Sequence, residues 1–339
     1  MTGTDTIVGE TGFKDRSVGL IVFGILEIMM GLVCALMVPL TLASLLVPSS
    51  MAGGTPAPDV RMMVPALMMY VVLAVAFIWL GVGSILARRW ARALLLVTSS
   101  IWLAIGVMAL LFFVLSFGDI FSAMSAAGDI PEAAAAIIKY ITLVALTVMY
   151  IVVPGGLVLF YRSEHVKATC ERRDLKVRWT DRCPLPVLGI SLMAGAWAAW
   201  MPVTGIYGWL LPFFGTFVSG PAGAVVALVS MGLVGYVAWG TYKLDSRAWW
   251  CAVFVIAAWG LSSALTFTQG GLMDMYERMD LSEQQMELLR QNPGLAGQAM
   301  VPFFVLWVVV ALGYLLYTRK FFVAGGTAGA ARADTPGPR

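Results

Sequence analysis

The residue in this sequence best placed to do chemistry is Glu27, in Gly24-Ile-Leu-Glu27-Ile-Met-Met-Gly31. It is the sole carboxylate deep inside any of the long apolar runs. A charge at the bilayer centre costs about 2.5–3.5 kcal/mol on insertion scales, so Glu27 must face the bundle interior, pair, or carry a proton. One reading is a proton- or cation-coupled site. The other is a neutral acid bonded to a neighbouring helix, with Gly24 and Gly31 letting that helix approach. No register sets an acid opposite Glu27 in the second half of the chain, which removes a symmetric two-carboxylate pathway.

Two groups of polar side chains fall at related places in two other apolar runs: Thr98, Ser99 and Ser100, then Ser262, Ser263, Thr266, Thr268 and Gln269. They could line a transport path. Hydroxyls of this kind also satisfy their own helix backbone or tie helices together. Midway along the chain, His165, Cys170, Asp181 and Cys183 offer the atom types of a tetrahedral zinc site. Their spacing matches no standard finger or ribbon, so neither metal nor cofactor is expected. The sequence contains no Walker A loop, dinucleotide glycine fingerprint, HExxH or Gly-x-Ser-x-Gly. An enzyme reading therefore has no motif to rest on, and nothing points to nucleic acid.

The elements that must hold these residues are set by composition. The 339 residues are 60% hydrophobic and 12% charged, with a mean hydropathy of +0.87, outside the range of water-soluble domains. Eight runs are long enough to cross a hydrocarbon core of about 30 Å as helix: Val18–Val47, Val64–Leu86, Ala91–Phe117, Ile137–Tyr161, Leu185–Leu210, Pro221–Tyr242, Ala248–Phe267 and Ala299–Tyr317. They lack the period-two alternation of barrel strands. The expected fold is an all-α polytopic transmembrane bundle in the lipid bilayer. The first run is longer than the core and must tilt, kink near Pro39 or extend into solvent. Trp90, Trp209, Trp249, Trp250, Tyr161, Tyr242 and Tyr317, near span ends, fit an interfacial belt.

Charge then orients the bundle. Eighteen of the 22 Lys and Arg residues fall on the side of both termini and the even-numbered connections, which places that side in the cytoplasm of a bacterial inner membrane. The segment 162–184 alone carries seven (Arg162, Lys167, Arg172, Arg173, Lys176, Arg178, Arg182) and reads as a basic hinge and a contact for anionic lipid.

The halves on either side of this hinge echo each other. Met124-x4-Asp129-Ile-Pro-Glu132 resembles Met275-x4-Asp280-Leu-Ser-Glu283, each a capping box that should start a short outer helix, clearest over 282–291. Gly81…Arg88-Arg89-Trp90 aligns with Gly240…Arg247-Ala248-Trp249, and Gly156…Arg162 with Gly313…Arg319. The organisation expected is a cytoplasmic N-terminus (1–17), two four-helix repeats of like orientation (18–161 and 185–322) around the hinge, and a disordered tail (323–339). The hinge, His165-Val-Lys-Ala-Thr-Cys-Glu through Arg178-Trp-Thr-Asp-Arg-Cys-Pro-Leu-Pro-Val, resembles a segment of uncharacterised bacterial multi-span membrane proteins. That resemblance implies an inner-membrane protein and carries over no site residues. The leading functional expectation is passage of a small solute, ion or lipid along the repeat interface, lined by Glu27 and the polar residues above. The alternative is a non-transporting scaffold, docking a protein partner or a second copy through the outer acidic helices or the hinge.

Overall fold

A computed structural model describes residues 14–44, 60–126, 132–269, 271–279, 286 and 300–333. Among them, eight helices are long and apolar enough to span a membrane, and the chain is an all-α polytopic bundle. Span one is α1 (Ser17–Ser44), with Pro39 inside it, and span two is α2 (Val60–Ile85). Span three lies in α3 (Arg89–Ala126), which at about 1.5 Å per residue runs well beyond a single bilayer core. Span four is broken. It comprises α4 (Glu132–Thr147), a π-helical turn (Val148–Val152) and α5 (Val153–Arg162). Pro154 has no N–H to give the Tyr150 carbonyl one turn back, and that carbonyl instead abuts Gly106 of α3.

The second half begins with α7 (Leu185–Trp200), which tightens into a 3-10 segment (Met201–Tyr207) where Pro202 enters. The sequence run to Leu210 is thus not a single α-helix. A two-stranded hairpin follows, β1 (Leu211–Phe213) against β2 (Thr216–Val218). Then come α8 (Gly220–Tyr242), α9 (Ser246–Gln269), a short α10 (Gly271–Arg278) and α11 (Met300–Ala333). Residues 323–333, expected as unstructured tail, continue α11, where five alanines favour helix against the glycines. Of the capping-box residues, Asp129, Asp280 and Glu283 lie outside the described residues, and Glu132 is the first residue of α4. The outer helix expected over 282–291 also lies outside them except at Met286.

In each half the first span packs along the second, the second meets the third, and the third packs along the fourth. The turns joining second to third spans share one geometry. Ala87 and Leu244 adopt φ of 50° and 60°. Arg88 N–H bonds the Gly83 carbonyl and Asp245 N–H the Gly240 carbonyl, both at 2.9 Å, the closure of a Schellman motif. Gly83 and Gly240 each make room for an alanine of the next helix, Ala91 and Ala248. The spatial counterpart of Gly240 is therefore Gly83, and not the Gly81 of the sequence alignment. Gly81 serves a different contact. A Cβ there would lie 2.6 Å from the Gly24 carbonyl, so this pair sets the close crossing of α1 and α2. The halves meet where Val97 of α3 joins Val187 and Leu188 of α7, an apolar contact.

The hinge is folded, and its fold depends on pairing its charges. Helix α6 (Glu164–Arg173) leads through an extended stretch to a 3-10 turn (Trp179–Arg182). Together they form a cap over one end of the bundle. Asp174, almost fully buried, accepts from Nε and Nη2 of Arg178 at 3.1 Å each and from the Arg89 amide at 3.4 Å, with Arg88 3.9 Å away. Arg89 also reaches Asp181 (3.3 Å) and Glu171 (3.8 Å). The Arg16 amide bonds Thr169, and Tyr242, the last residue of α8, donates to the Trp179 carbonyl at 3.0 Å. The chain start, both even-numbered turns and the hinge thus share one face.

Candidate functional site

Glu27 projects from α1 into the first half of the molecule and is completely buried. Its Oε1 lies 3.0 Å from Tyr161 Oη on α5; Tyr161 Oη lies 2.7 Å from Ser84 Oγ on α2; and Ser84 Oγ lies 3.0 Å from the Leu20 carbonyl. Each element has a local reason to present its group. On α5, Pro154, Leu157 and Tyr161 form one buried face at helical spacing. On α1, Leu20, Gly24, Glu27 and Gly31 form another. Leu20, Leu80, Leu94, Leu95, Leu157, Val166 and Cys170 build the apolar cluster that includes Tyr161, so α6 closes this core from the cap side. The Arg92 guanidinium, at the same end, donates to the Tyr161 carbonyl at 3.1 Å.

Proton counting decides what this chain of oxygens holds. Three contacts run in series, and the two hydroxyls bring two protons. With Glu27 ionised, Tyr161 and Ser84 fill two contacts and leave one empty. With a proton on Glu27 the order runs from Glu27 to Tyr161 to Ser84 to the Leu20 carbonyl, and every contact is a hydrogen bond. Glu27 Oε2 has no partner among the described residues. The assembly therefore has room for one further proton within the first half.

The polar residues of the seventh span do different work. Ser262 Oγ accepts from the Phe214 amide (2.9 Å) and donates to the Pro212 carbonyl (3.1 Å). Thr266 Oγ1 accepts from the Gly215 amide at 3.1 Å and lies 2.8 Å from the Ser262 carbonyl. These hydroxyls clasp the hairpin to α9. Its two-residue turn puts Phe214 at φ 40° and Gly215 at φ 98°, the positive pair of a type I′ turn. A Cβ on Gly215 would also meet the Gln269 side chain at 2.5 Å. Ser263 is buried and its hydroxyl lacks a partner among the described residues, while Thr268 bonds its own helix. In α3, Ser99 is buried, Thr98 is exposed, and exposed Ser100 donates to the Leu96 carbonyl. The structure thus brings Glu27 together with Ser84 and Tyr161, and Ser262 with Thr266. It does not bring these two sets to one site.

The hinge ligand set also disperses. His165 and Asp181 are exposed, whereas Cys170 and Cys183 are buried in two different apolar clusters. Burial pushes both thiols up to about 11, and no group of three or more metal-ligating side chains occurs among the described residues. Sequence reasoning misses two partners. Tyr161 and Trp249 fit an interfacial belt by position, yet both are buried, Tyr161 on Glu27 and Trp249 donating to the Leu315 carbonyl at 3.0 Å. For Tyr161 the available signal is its helical spacing from Pro154 and Leu157. No family model, curated protein or solved structure matches this chain.

Proposed function

We propose that this integral membrane protein is a non-transporting partner subunit: a packed eight-span bundle that docks another protein through the outward face of α6. One observation carries this reading. Glu27 with Tyr161, and Ser262 with Thr266, belong to two separate internal assemblies, and the halves meet through apolar side chains. A conduit between the halves would need those groups on a shared wall. The lysine and arginine excess supports a cytoplasmic cap in a bacterial inner membrane. The matching turns at Ala87 and Leu244 support an internal duplication in like orientation. One observation favours transport instead, the unpartnered Oε2 of Glu27, which could receive a proton or cation.

Photo-crosslinking in native membranes separates the two. A crosslinker at His165, exposed on α6, should give one discrete protein adduct, whereas one at lipid-facing Val225 should give none. Absence of an adduct from His165 would overturn the partner reading. Proton flux into dye-loaded vesicles that disappears in Glu27→Gln would move the assignment to transport.

A further inference from the structure

We propose that the loop Leu175–Trp179 is a lipid-binding ribbon, seated among the anionic headgroups of the leaflet on the cap side. The hinge is not a uniform cationic patch. Arg178 and Arg88 lie on Asp174, Arg89 on Glu171 and Asp181, Arg173 on Asp15, and Lys167 on Glu164. Lys176 and Arg182 are exposed and make no ion pair among the described residues. Beside Lys176 stand three apolar side chains turned outward: Leu175 (84% exposed), Val177 (66%) and Trp179 (43%). Apolar and cationic residues in alternation suit a surface that is hydrocarbon below and phosphate above.

The loop's level in the molecule selects lipid over water. The Trp179 carbonyl receives the hydroxyl of Tyr242 at the end of α8, and the two rings lie 6.3 Å apart. Leu185, three residues beyond Arg182, already opens α7. The ribbon therefore continues the lipid-facing surface of the spans at headgroup depth, where Trp and Tyr concentrate. It is also held in shape, because the two-nitrogen contact of Arg178 with Asp174 joins its two ends. This inference is independent of the partner reading, which concerns the outward face of α6.

The full chain in nanodiscs tests it. Cys34 and Cys251 are replaced by alanine, and a bimane label is placed at Val177→Cys or, as a control, at Glu164→Cys, whose side chain is 85% exposed. Lipids with brominated acyl chains should quench the Val177 label at least about twofold more than the control. That quenching should deepen when phosphatidylglycerol replaces phosphatidylcholine, and Lys176→Glu should remove the headgroup dependence. Quenching of both labels alike by aqueous iodide overturns the proposal and leaves the loop to a protein partner; lipid quenching indifferent to headgroup charge overturns it too. Phosphatidylglycerol retained through purification gives a second readout without labels. It should fall severalfold in Lys176→Glu/Arg182→Glu, and equal retention refutes the proposal.

Discussion

Tyr161→Phe isolates the hydrogen-bond chain from packing, because the ring stays and one hydroxyl leaves. Tyr161 is fully buried, so the void left is no larger than the lost hydroxyl, and Ser84 keeps its 3.0 Å contact with the Leu20 carbonyl. What is lost is the partner of Glu27, which then has neither oxygen bonded. Interhelical hydrogen bonds in membranes average about 0.6 kcal/mol and reach about 1.7, and a buried polar group left unsatisfied costs about 1–3 kcal/mol. The expected loss is therefore about 1–3 kcal/mol, roughly 5- to 150-fold in the folding equilibrium. Glu27→Leu should be far milder, since Tyr161 and Ser84 still bond each other. The double variant should be more stable than Tyr161→Phe alone, because no carboxyl is left stranded. Reversible unfolding in mixed micelles by dodecyl sulfate measures all four corners of the cycle. Additive losses, or a Tyr161→Phe protein as stable as wild type, would refute the chain as drawn.

Further outcomes follow from three other parts of the molecule. For Asp174, burial works to raise the carboxyl, but the Arg178 fork, the Arg89 amide and the charges of Arg178 and Arg88 outweigh it and hold the group below the usual carboxylate range. Its contribution is therefore complete at neutral pH and is lost as pH falls from about 4 through the lower folded value; amide exchange in α6 should rise over that window. Asp174→Ala should remove about 1–2 kcal/mol at neutral pH, limited by the solvation of its arginines, and speed proteolysis between residues 163 and 184. Cys170 and Cys183, buried with thiols pushed up to about 11, should resist maleimide at neutral pH until dodecyl sulfate unfolds the cap, as read by intact mass. Ser262→Ala/Thr266→Val should free the hairpin, with exchange at Phe214 and Gly215 rising about tenfold for each 1.4 kcal/mol lost.

The spans were legible because a bilayer enforces length and apolarity on contiguous sequence, and α8 (Gly220–Tyr242) begins one residue from its sequence estimate. What failed to read out was determined by partners distant in sequence. The hinge reads as a tether because basic residues outnumber acidic ones along it, while Arg88 and Arg89, which tie it down, come from a turn some eighty residues earlier. The hairpin carries Phe214-Gly215 where Asn-Gly or Asp-Gly would announce a type I′ turn, so nothing in its sequence signals the pairing. Glu27 was legible as an acid that had to be satisfied. That Tyr161, 134 positions on, would satisfy it was hidden behind the resemblance of any span-end tyrosine to a headgroup anchor.

The order in which the cap's contacts become available has a consequence for biosynthesis. Asp15, Arg16, Arg88 and Arg89 have all left the ribosome before α6 and its 3-10 turn emerge. The latch can then close as soon as residue 182 is out, while α7 is still to be inserted. Tyr242 alone among these contacts belongs to the later-made portion. The first quartet and its cap thus hold all but one of these contacts within residues 15–182, and the latch does not need the remaining helices in order to form.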